Sequence, residues 1–182
     1  MLDLLFRLGN PTNKWMRRPG LRIAVDLSAS SINAVELGRA FGTLEFLGRD
    51  EDTTAAKCDS FRYYSLGLEI DRGSNDSIDG FSLVVNDPEG HHHPFAGEVT
   101  WLDLPINLKQ VRQKDLSGIF GDWYWIDTDD EETIVFYEFK EYEIQIECDL
   151  ECRVSRVIVT REPLMASNEQ RTAYGVTKPY PF

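Results

Sequence analysis

The stretch IFGDWYWIDTDDEETIVFYEFKEYEIQIE, residues 119–147, contains the signals that decide the fold. Its first residues end a short helical pattern at Gly121, and glycine is the residue type that most often closes a helix. An acid-rich loop follows. Residues 133–147 then form two β-rich runs on either side of a tight turn near Lys140, which predicts an antiparallel hairpin.

An earlier segment repeats this order. Residues 46–48 (FLG) also place two apolar residues and a glycine after a helical stretch, and a second acidic loop follows them. An aromatic pair lies 15 and 16 residues after each glycine, at 63–64 and at 136–137. A hairpin and a third strand follow in both segments. The pattern predicts an α+β fold of two tandem copies of a short helix plus an antiparallel β-sheet, with the helices packed on one face.

The two copies divide the chain into four parts. Residues 1–20 form an N-terminal extension, residues 21–96 the first α+β repeat and residues 97–161 the second. Residues 162–182 contain three prolines and no apolar periodicity. They are predicted to form an extended C-terminal tail that lies on the surface.

The paired segments resemble a known family. A helix that ends at residues 46–48 or 119–121 and precedes a hairpin, at 61–70 or 134–147, is similar to the beta-lactamase inhibitor protein fold. The small outer-membrane lipoproteins of SmpA/OmlA type are similar to a single copy. In those families proline often follows the glycine, whereas charged residues follow both glycines here. The resemblance implies a tandem α+β fold and a protein that binds or scaffolds other proteins.

The charge of the chain restricts its partners. There are 31 acidic and 19 basic residues, so the formal net charge is −12. Nucleic-acid binding needs a basic surface that neutralises phosphates, and the basic residues cluster only in the short segment 14–22. An acidic surface also repels anionic membranes. We therefore expect neither nucleic acid nor membrane as a partner, and we expect any protein partner to be basic.

The N-terminal segment indicates the location and a possible contact between copies. It lacks the basic start and the uninterrupted apolar run of a secretory signal, and three cysteines do not make a disulfide framework, so we expect a cytoplasmic protein. One face of a short helix could carry Leu2, Leu4, Leu5 and Leu8. Residues 1–20 are therefore a candidate homodimer contact.

The candidate binding residues are aromatic. Trp123 and Trp125 flank Tyr124, and in an extended chain the two tryptophans face one way and could form a platform for a peptide or sugar. The alternative is that they cover the open side of the sheet. Tyr63 and Tyr64, from the first copy, are predicted to extend the same surface, and the acidic loops would form its rim.

A metal site is the competing interpretation. All histidines lie together at His91–His93, and imidazole binds zinc, nickel and copper. A site using His91 and His93 would need a carboxylate such as Glu89 or Glu98. The acidic run after Asp127 lacks the glycine and the ligand spacing of a calcium loop.

These observations predict a non-catalytic protein-interaction or inhibitor-like module that uses no cofactor. Two alternatives stay open. One is a metal-dependent enzyme that uses the loop from His91 to His93 and nearby carboxylates. The other is a structural subunit of a homo-oligomer that associates through residues 1–20.

Overall fold

The computed structural model describes residues 9–52, 54–88 and 90–181. The strands in this part of the chain are β1 (Ala24–Asp26), β2 (Ser31–Ile32), β3 (Val35–Glu36), β4 (Ser60–Tyr63), β5 (Leu68–Arg72), β6 (Ile78–Val84), β7 (Glu98–Trp101), β8 (Leu104–Pro105), β9 (Trp125–Thr128), β10 (Glu132–Glu138), β11 (Glu143–Asp149) and β12 (Val154–Thr160). The α-helices whose bounds lie within it are short: α1 (Ala55–Cys58), α2 (Leu116–Phe120) and α3 (Asn168–Ala173). The 3-10 helices are Pro11–Lys14, Phe41–Leu47, Tyr64–Leu66, Leu108–Gln110 and Gln113–Asp115.

The strands form two sheets. The larger sheet has the order β4-β5-β6-β12-β11-β10-β9, and all its neighbours pair antiparallel. The smaller sheet has the order β3-β2-β1-β7-β8 and is mixed, because β1 and β7 pair in parallel. The chain therefore has an α+β or mostly-β fold with few short helices, which confirms the predicted class at this coarse level.

One face of the larger sheet forms the core. A continuous row of directly opposed, buried side chains crosses six strands in the order Phe61, Ile70, Phe81, Val159, Ile144 and Tyr137. Aromatic rings of the helical segments contact both ends of this row. Phe41 lies 4.6 Å from Phe61, and Phe120 lies 5.4 Å from Tyr137, between ring centroids. Trp101 of β7 contacts Phe120 at 5.0 Å, so the smaller sheet joins the same core.

Both glycines that were predicted to end helices do so. Gly48 follows the 3-10 helix Phe41–Leu47 with φ 81°, and Gly121 follows α2 with φ 86°. These left-handed conformations favour glycine because it has no Cβ atom. At Gly48 an added Cβ would also lie 2.6 Å from the backbone nitrogen of Arg17, so the N-terminal segment can approach only glycine.

The N-terminal segment packs on the first helical segment. The carboxylate of Asp50 accepts hydrogen bonds from Asn10 Nδ2 at 2.6 Å and from Thr12 Oγ1 at 2.5 Å, and all three residues are buried. The ring of Trp15 lies 4.9 Å from that of Phe41. The leucines of the predicted homodimer contact lie outside the described residues.

The prediction of an extended C-terminal tail is wrong. Residues 168–173 form helix α3, and Ser167 caps it by accepting a hydrogen bond from the backbone nitrogen of Gln170 at 3.2 Å. Met165 and Arg171 are buried. No apolar periodicity marks this helix, because the helical residue that it buries is the polar Arg171 rather than a row of apolar side chains.

The aromatic pairs of the two predicted copies differ in orientation. Equal spacing from the glycines matches Tyr63 with Phe136, but Tyr63 faces the core whereas Phe136 packs in a separate cluster with Tyr124 and Met165. Successive strand residues point to opposite faces, so a shift of one residue reverses the side of the sheet. Val135 is the β10 residue in the cross-strand row of Tyr63.

Two pairings join the predicted repeats. β6 pairs with β12 in the larger sheet, and β1 pairs with β7 in the smaller one. The boundary between residues 96 and 97 stays a prediction. Among the described residues, no helix has the length and apolar character that crossing a bilayer requires.

The shared core predicts a strong contrast between two leucine truncations. Leu68→Ala in β5 removes a fully buried side chain, and we expect it to lower the free energy of unfolding by about 2–5 kcal/mol. Leu104→Ala in β8 is the matched control, because Leu104 is exposed and its truncation should cost less than about 0.5 kcal/mol. Urea unfolding followed by fluorescence measures both. Equal losses would contradict this core.

Candidate functional site

The face of the larger sheet opposite the core is charged. We call it the open face. Arg62 lies opposite Glu69 between β4 and β5, and Arg156 of β12 lies opposite Glu147 of β11. These side chains alternate along their strands with the buried core residues. The core therefore determines which charges are gathered on the open face.

Glu69 is the centre of an ion-pair network. Its carboxylate lies 3.6 Å from the guanidinium of Arg62 and 3.4 Å from that of Arg156. Arg156 also approaches Glu147 at 3.7 Å. The fifth member is His92, whose Nε2 atom lies 3.0 Å from Glu69 Oε1, although this contact lacks hydrogen-bond geometry. The network connects four strands and one loop.

A cavity of about 690 Å³ lies over this network, and we call it the acidic basin. Its carboxylates are Glu69, Asp87, Glu131, Glu132, Glu147, Asp149 and Glu151. Its arginines are Arg62, Arg153 and Arg156. The carboxylates outnumber the arginines by four, so the basin has a negative charge that its own cations do not balance.

Burial perturbs two of these carboxylates. Burial raises the pKa of Glu147 above its ordinary value; Arg156 opposes the rise, and the charges of Glu132 and Glu69 add to it. Burial also raises the pKa of Glu132, and the charge of Asp129 adds to that shift. Loss of water around both carboxylates disfavours their charged forms. A cation that binds in the basin would offset part of this desolvation free energy.

The histidine loop forms one wall of the basin. The side chain of Asp87 accepts hydrogen bonds from the backbone nitrogens of His92 at 2.7 Å and Gly90 at 3.2 Å, which holds the loop against the sheet. His92 Nδ1 lies 3.5 Å from the same carboxylate, and its ring lies 4.7 Å from that of Tyr64.

The structure places His91 and His92 in the lining of the acidic basin. The side chain of His92 contacts the carboxylates of Glu69 and Asp87, and the residues named for a metal were His91 and His93. Of the carboxylates named with them, Glu89 lies outside the described residues. No group of three or more potential metal ligands occurs among the residues that the structure describes.

The predicted aromatic platform divides into separate environments. Strand β9 begins only at Trp125. Trp123 therefore lies outside the strand, and the strand alternation that would point both tryptophans to one face does not extend to it. Trp125 stacks on Phe136 at 4.6 Å and contacts Tyr174 at 5.8 Å, on the open face. Trp123 is 43% exposed and lines a different cavity, beside α2 on the core side of the sheet. The expectation that the two tryptophans face one way is therefore wrong.

The tyrosines also separate. Tyr63 is fully buried in the core, which removes it from any surface. Tyr124 is buried as well, and its hydroxyl donates a hydrogen bond of 2.6 Å to Glu143. Burial raises the pKa of Glu143. Tyr64 is half-buried beside His92 and is the predicted aromatic residue nearest the acidic basin.

The C-terminal segment already places a guanidinium on the open face. Arg171 is buried, pairs with Glu138, and lies over the ring of Tyr124 at 4.4 Å. Its remaining donors reach the carbonyl oxygens of Met165, Lys178 and Pro179. Lys178 Nζ also lies 3.0 Å from Glu138. Two basic side chains of the C-terminal segment are therefore accommodated on the part of the open face next to β10.

Sequence reasoning missed Glu69, Glu147, Arg156 and His92. The alternation in residues 142–147 (YEIQIE) is a signal that could have indicated the open face, since its polar residues all fall on one side of a strand. The pairing of strands that are distant in sequence, which brings Glu69 to Arg156, has no such signal.

The buried contact of Arg171 predicts a large loss of stability on its removal. Arg171→Gln leaves Glu138 without its buried guanidinium, and we expect a decrease of about 3–5 kcal/mol in the free energy of unfolding. Arg39→Gln makes the same change at an exposed pair with Glu36 and should cost less than about 1 kcal/mol. Denaturant unfolding compares the two. Equal costs would show that Arg171 does not hold the C-terminal segment.

Comparisons with known proteins leave the fold family open. No family model and no curated protein matches this sequence. A solved structure of a DUF4309 family protein (YjgB) from Bacillus subtilis subsp. subtilis strain 168 is similar, with 13% identity and a TM-score of 0.47. The alignment covers 88% of this chain and 97% of that protein. A likeness at this level supports no inference about function.

Proposed function

We propose that this protein is a non-catalytic binding module whose acidic basin takes a basic segment of a protein partner. The observation that carries the proposal is the basin itself: a concave cavity of about 690 Å³ in which carboxylates outnumber arginines by four. Charge complementarity of this kind steers association and selects partners by sign.

The network beneath the basin supports the proposal. Its strands are paired over many residues, so Glu69, Glu147 and Arg156 are held in place by a rigid sheet. Arg156 satisfies part of the charge of both glutamates, and Arg153 pairs with Asp149 and Glu151. Glu131 and Glu132 form no ion pair with a described residue and are available to a partner. A preorganised site loses little conformational entropy on binding.

The contact made by Arg171 supports the same chemistry. The chain uses a guanidinium, an aromatic face and a carboxylate to hold its own C-terminal segment on this face. A partner with arginine or lysine side chains would meet similar groups at the acidic basin, where His92 lies beside Glu69 and the ring of Tyr64 contacts that of His92.

Tandem duplication is the structural part of the proposal. Strands β4, β5 and β6 follow the helical segment that ends at Gly48, and β10, β11 and β12 follow the one that ends at Gly121. The order β4-β5-β6-β12-β11-β10 places these two meanders in mirrored order about the pair β6·β12. This arrangement supports two copies of one unit that share a sheet and place their helices on its core side.

The proposal predicts charge-selective peptide binding. An octapeptide of alternating glycine and arginine should bind, and its glycine–glutamate counterpart should not. Glu132→Gln combined with Glu147→Gln should weaken binding by about tenfold, which corresponds to about 1.4 kcal/mol. Because burial raises the pKa of both residues, their charges do not stabilise the fold and the variant should stay folded. Fluorescence anisotropy of labelled peptides at low salt measures the affinities.

The matched control removes two charges elsewhere. Glu36→Gln with Glu98→Gln makes the same change in net charge at exposed positions of the smaller sheet. Its affinity should stay within about twofold of the parent, since neither residue lines the acidic basin. Equal weakening in both variants would show that the peptide responds to the net charge of the protein alone, which would contradict a specific binding site in the basin.

A further inference from the structure

A second cavity lies on the core side of the larger sheet, and we call it the Trp123 cleft. It has a volume of about 540 Å³ and lies between α2 with its preceding 3-10 turn and strands β9 and β10. Small-molecule sites in proteins commonly have volumes of about 300–1,000 Å³ and apolar walls. The proposed binding of a basic segment does not use this cleft.

The walls of the cleft are apolar and partly aromatic. Trp123, Leu116, Ile126 and Val135 line it. Trp123 is a large apolar residue left 43% exposed, and its ring borders the cavity rather than the core. A flat apolar ligand would cover this side chain and gain contact area from both the strand side and the helix side.

A tyrosine whose hydroxyl is buried lines the same cavity. Tyr137 is 1% exposed, and its hydroxyl has no hydrogen-bond partner among the described residues. A buried polar group without a partner is destabilising, because it has lost its hydrogen bonds to water without replacing them. A ligand with an acceptor atom inside the cleft would recover that cost by accepting a hydrogen bond from Tyr137.

The basic side chains of the cleft lack carboxylate partners. Arg112 and Lys114 line it, and neither forms an ion pair with a described residue. The Arg112 guanidinium donates only a long hydrogen bond of 3.4 Å to the carbonyl oxygen of Glu151. The carboxylate of Glu151, the acidic residue of the lining, is paired with Arg153 at 2.6 Å. On a chain with a net charge of −12, this is a local positive site.

We propose that the Trp123 cleft binds a small monocarboxylate with an apolar body and a hydrogen-bond acceptor at its far end. Its body lies against Trp123 and Leu116, its carboxylate pairs with Arg112 and Lys114, and its acceptor meets the hydroxyl of Tyr137. Each part of this ligand contacts a different feature of the cleft. The ligand is a small organic anion, in contrast to the basic segment proposed for the acidic basin.

Three related compounds test the assignment by isothermal titration calorimetry. 4-Hydroxyphenylacetate carries all three features, phenylacetate lacks the phenolic oxygen, and 4-hydroxyphenethyl alcohol lacks the carboxylate. We expect 4-hydroxyphenylacetate to bind most tightly, at least about fivefold above each of the others. Absence of saturable binding at millimolar concentration, or an alcohol that binds as tightly as the acid, overturns the proposal.

Variants of the full chain locate the site. Arg112→Gln with Lys114→Gln should weaken binding of the two acids at least about fivefold and leave the alcohol unchanged. Arg39→Gln with Lys109→Gln removes the same charge from exposed positions and should leave all affinities within about twofold. An equal effect of both double variants contradicts the assignment of the carboxylate.

Tyr137→Phe tests the far end of the ligand. The change removes a hydroxyl that has no protein partner, so the fold should be retained. It should abolish the preference for 4-hydroxyphenylacetate over phenylacetate while leaving phenylacetate binding intact. A preference that persists overturns the role of Tyr137. Dimerisation that Trp123→Ala abolishes would assign the cleft to a second copy of the chain and also overturn the proposal.

Discussion

The antiparallel pairing of β6 with β12 is the constraint on which the rest of the structure depends. It sets Phe81 opposite Val159 and Leu83 opposite Val157, all of them buried, and so connects the first meander to the second. Because successive residues of a strand point to opposite faces, this pairing also determines on which face the neighbouring residues of both strands lie. Residues that alternate with these apolar ones along the two strands, such as Ser82 and Arg156, lie on the open face. One register therefore assembles the core and the charged face together.

The two faces have opposite chemistry because they have different coverings. On the core side, apolar side chains contact Phe41 and Phe120 of two helical segments, and Phe120 in turn contacts Trp101 of the smaller sheet. The open face is covered only in part, by the C-terminal segment through Arg171 and by the loop of His92. Between those coverings the acidic basin remains accessible. Burial there is sufficient to raise the pKa of Glu147, and three arginines are too few to neutralise the seven carboxylates.

Local features of the fold could be predicted from the sequence, whereas contacts between distant segments could not. Gly48 and Gly121 end helical segments as predicted, because a left-handed backbone favours glycine regardless of the surrounding fold. The parallel pairing of β1 with β7 and the helix at Asn168–Ala173 were missed. Both depend on tertiary contacts, and the helix buries an arginine where apolar periodicity would be sought.

The candidate site was expected to be aromatic, with acidic loops only at its rim. An acidic surface and an exposed sheet face were expected, and the structure gathers carboxylates on such a face. The aromatic residues predicted to form one binding surface lie in different environments, because Trp123 precedes β9 and Tyr63 faces the core. His92 contacts the carboxylates of Glu69 and Asp87, and Asp87 also accepts hydrogen bonds from the loop backbone, which hold the loop against the sheet.

Nuclear magnetic resonance mapping of the basic octapeptide tests the central claim most directly. On titration into isotope-labelled protein, the account predicts saturable shifts of backbone amide signals around Glu69, Glu147 and Arg156, with the smaller sheet unaffected. Shifts that spread evenly over acidic residues, or that cluster away from the acidic basin, would contradict the account.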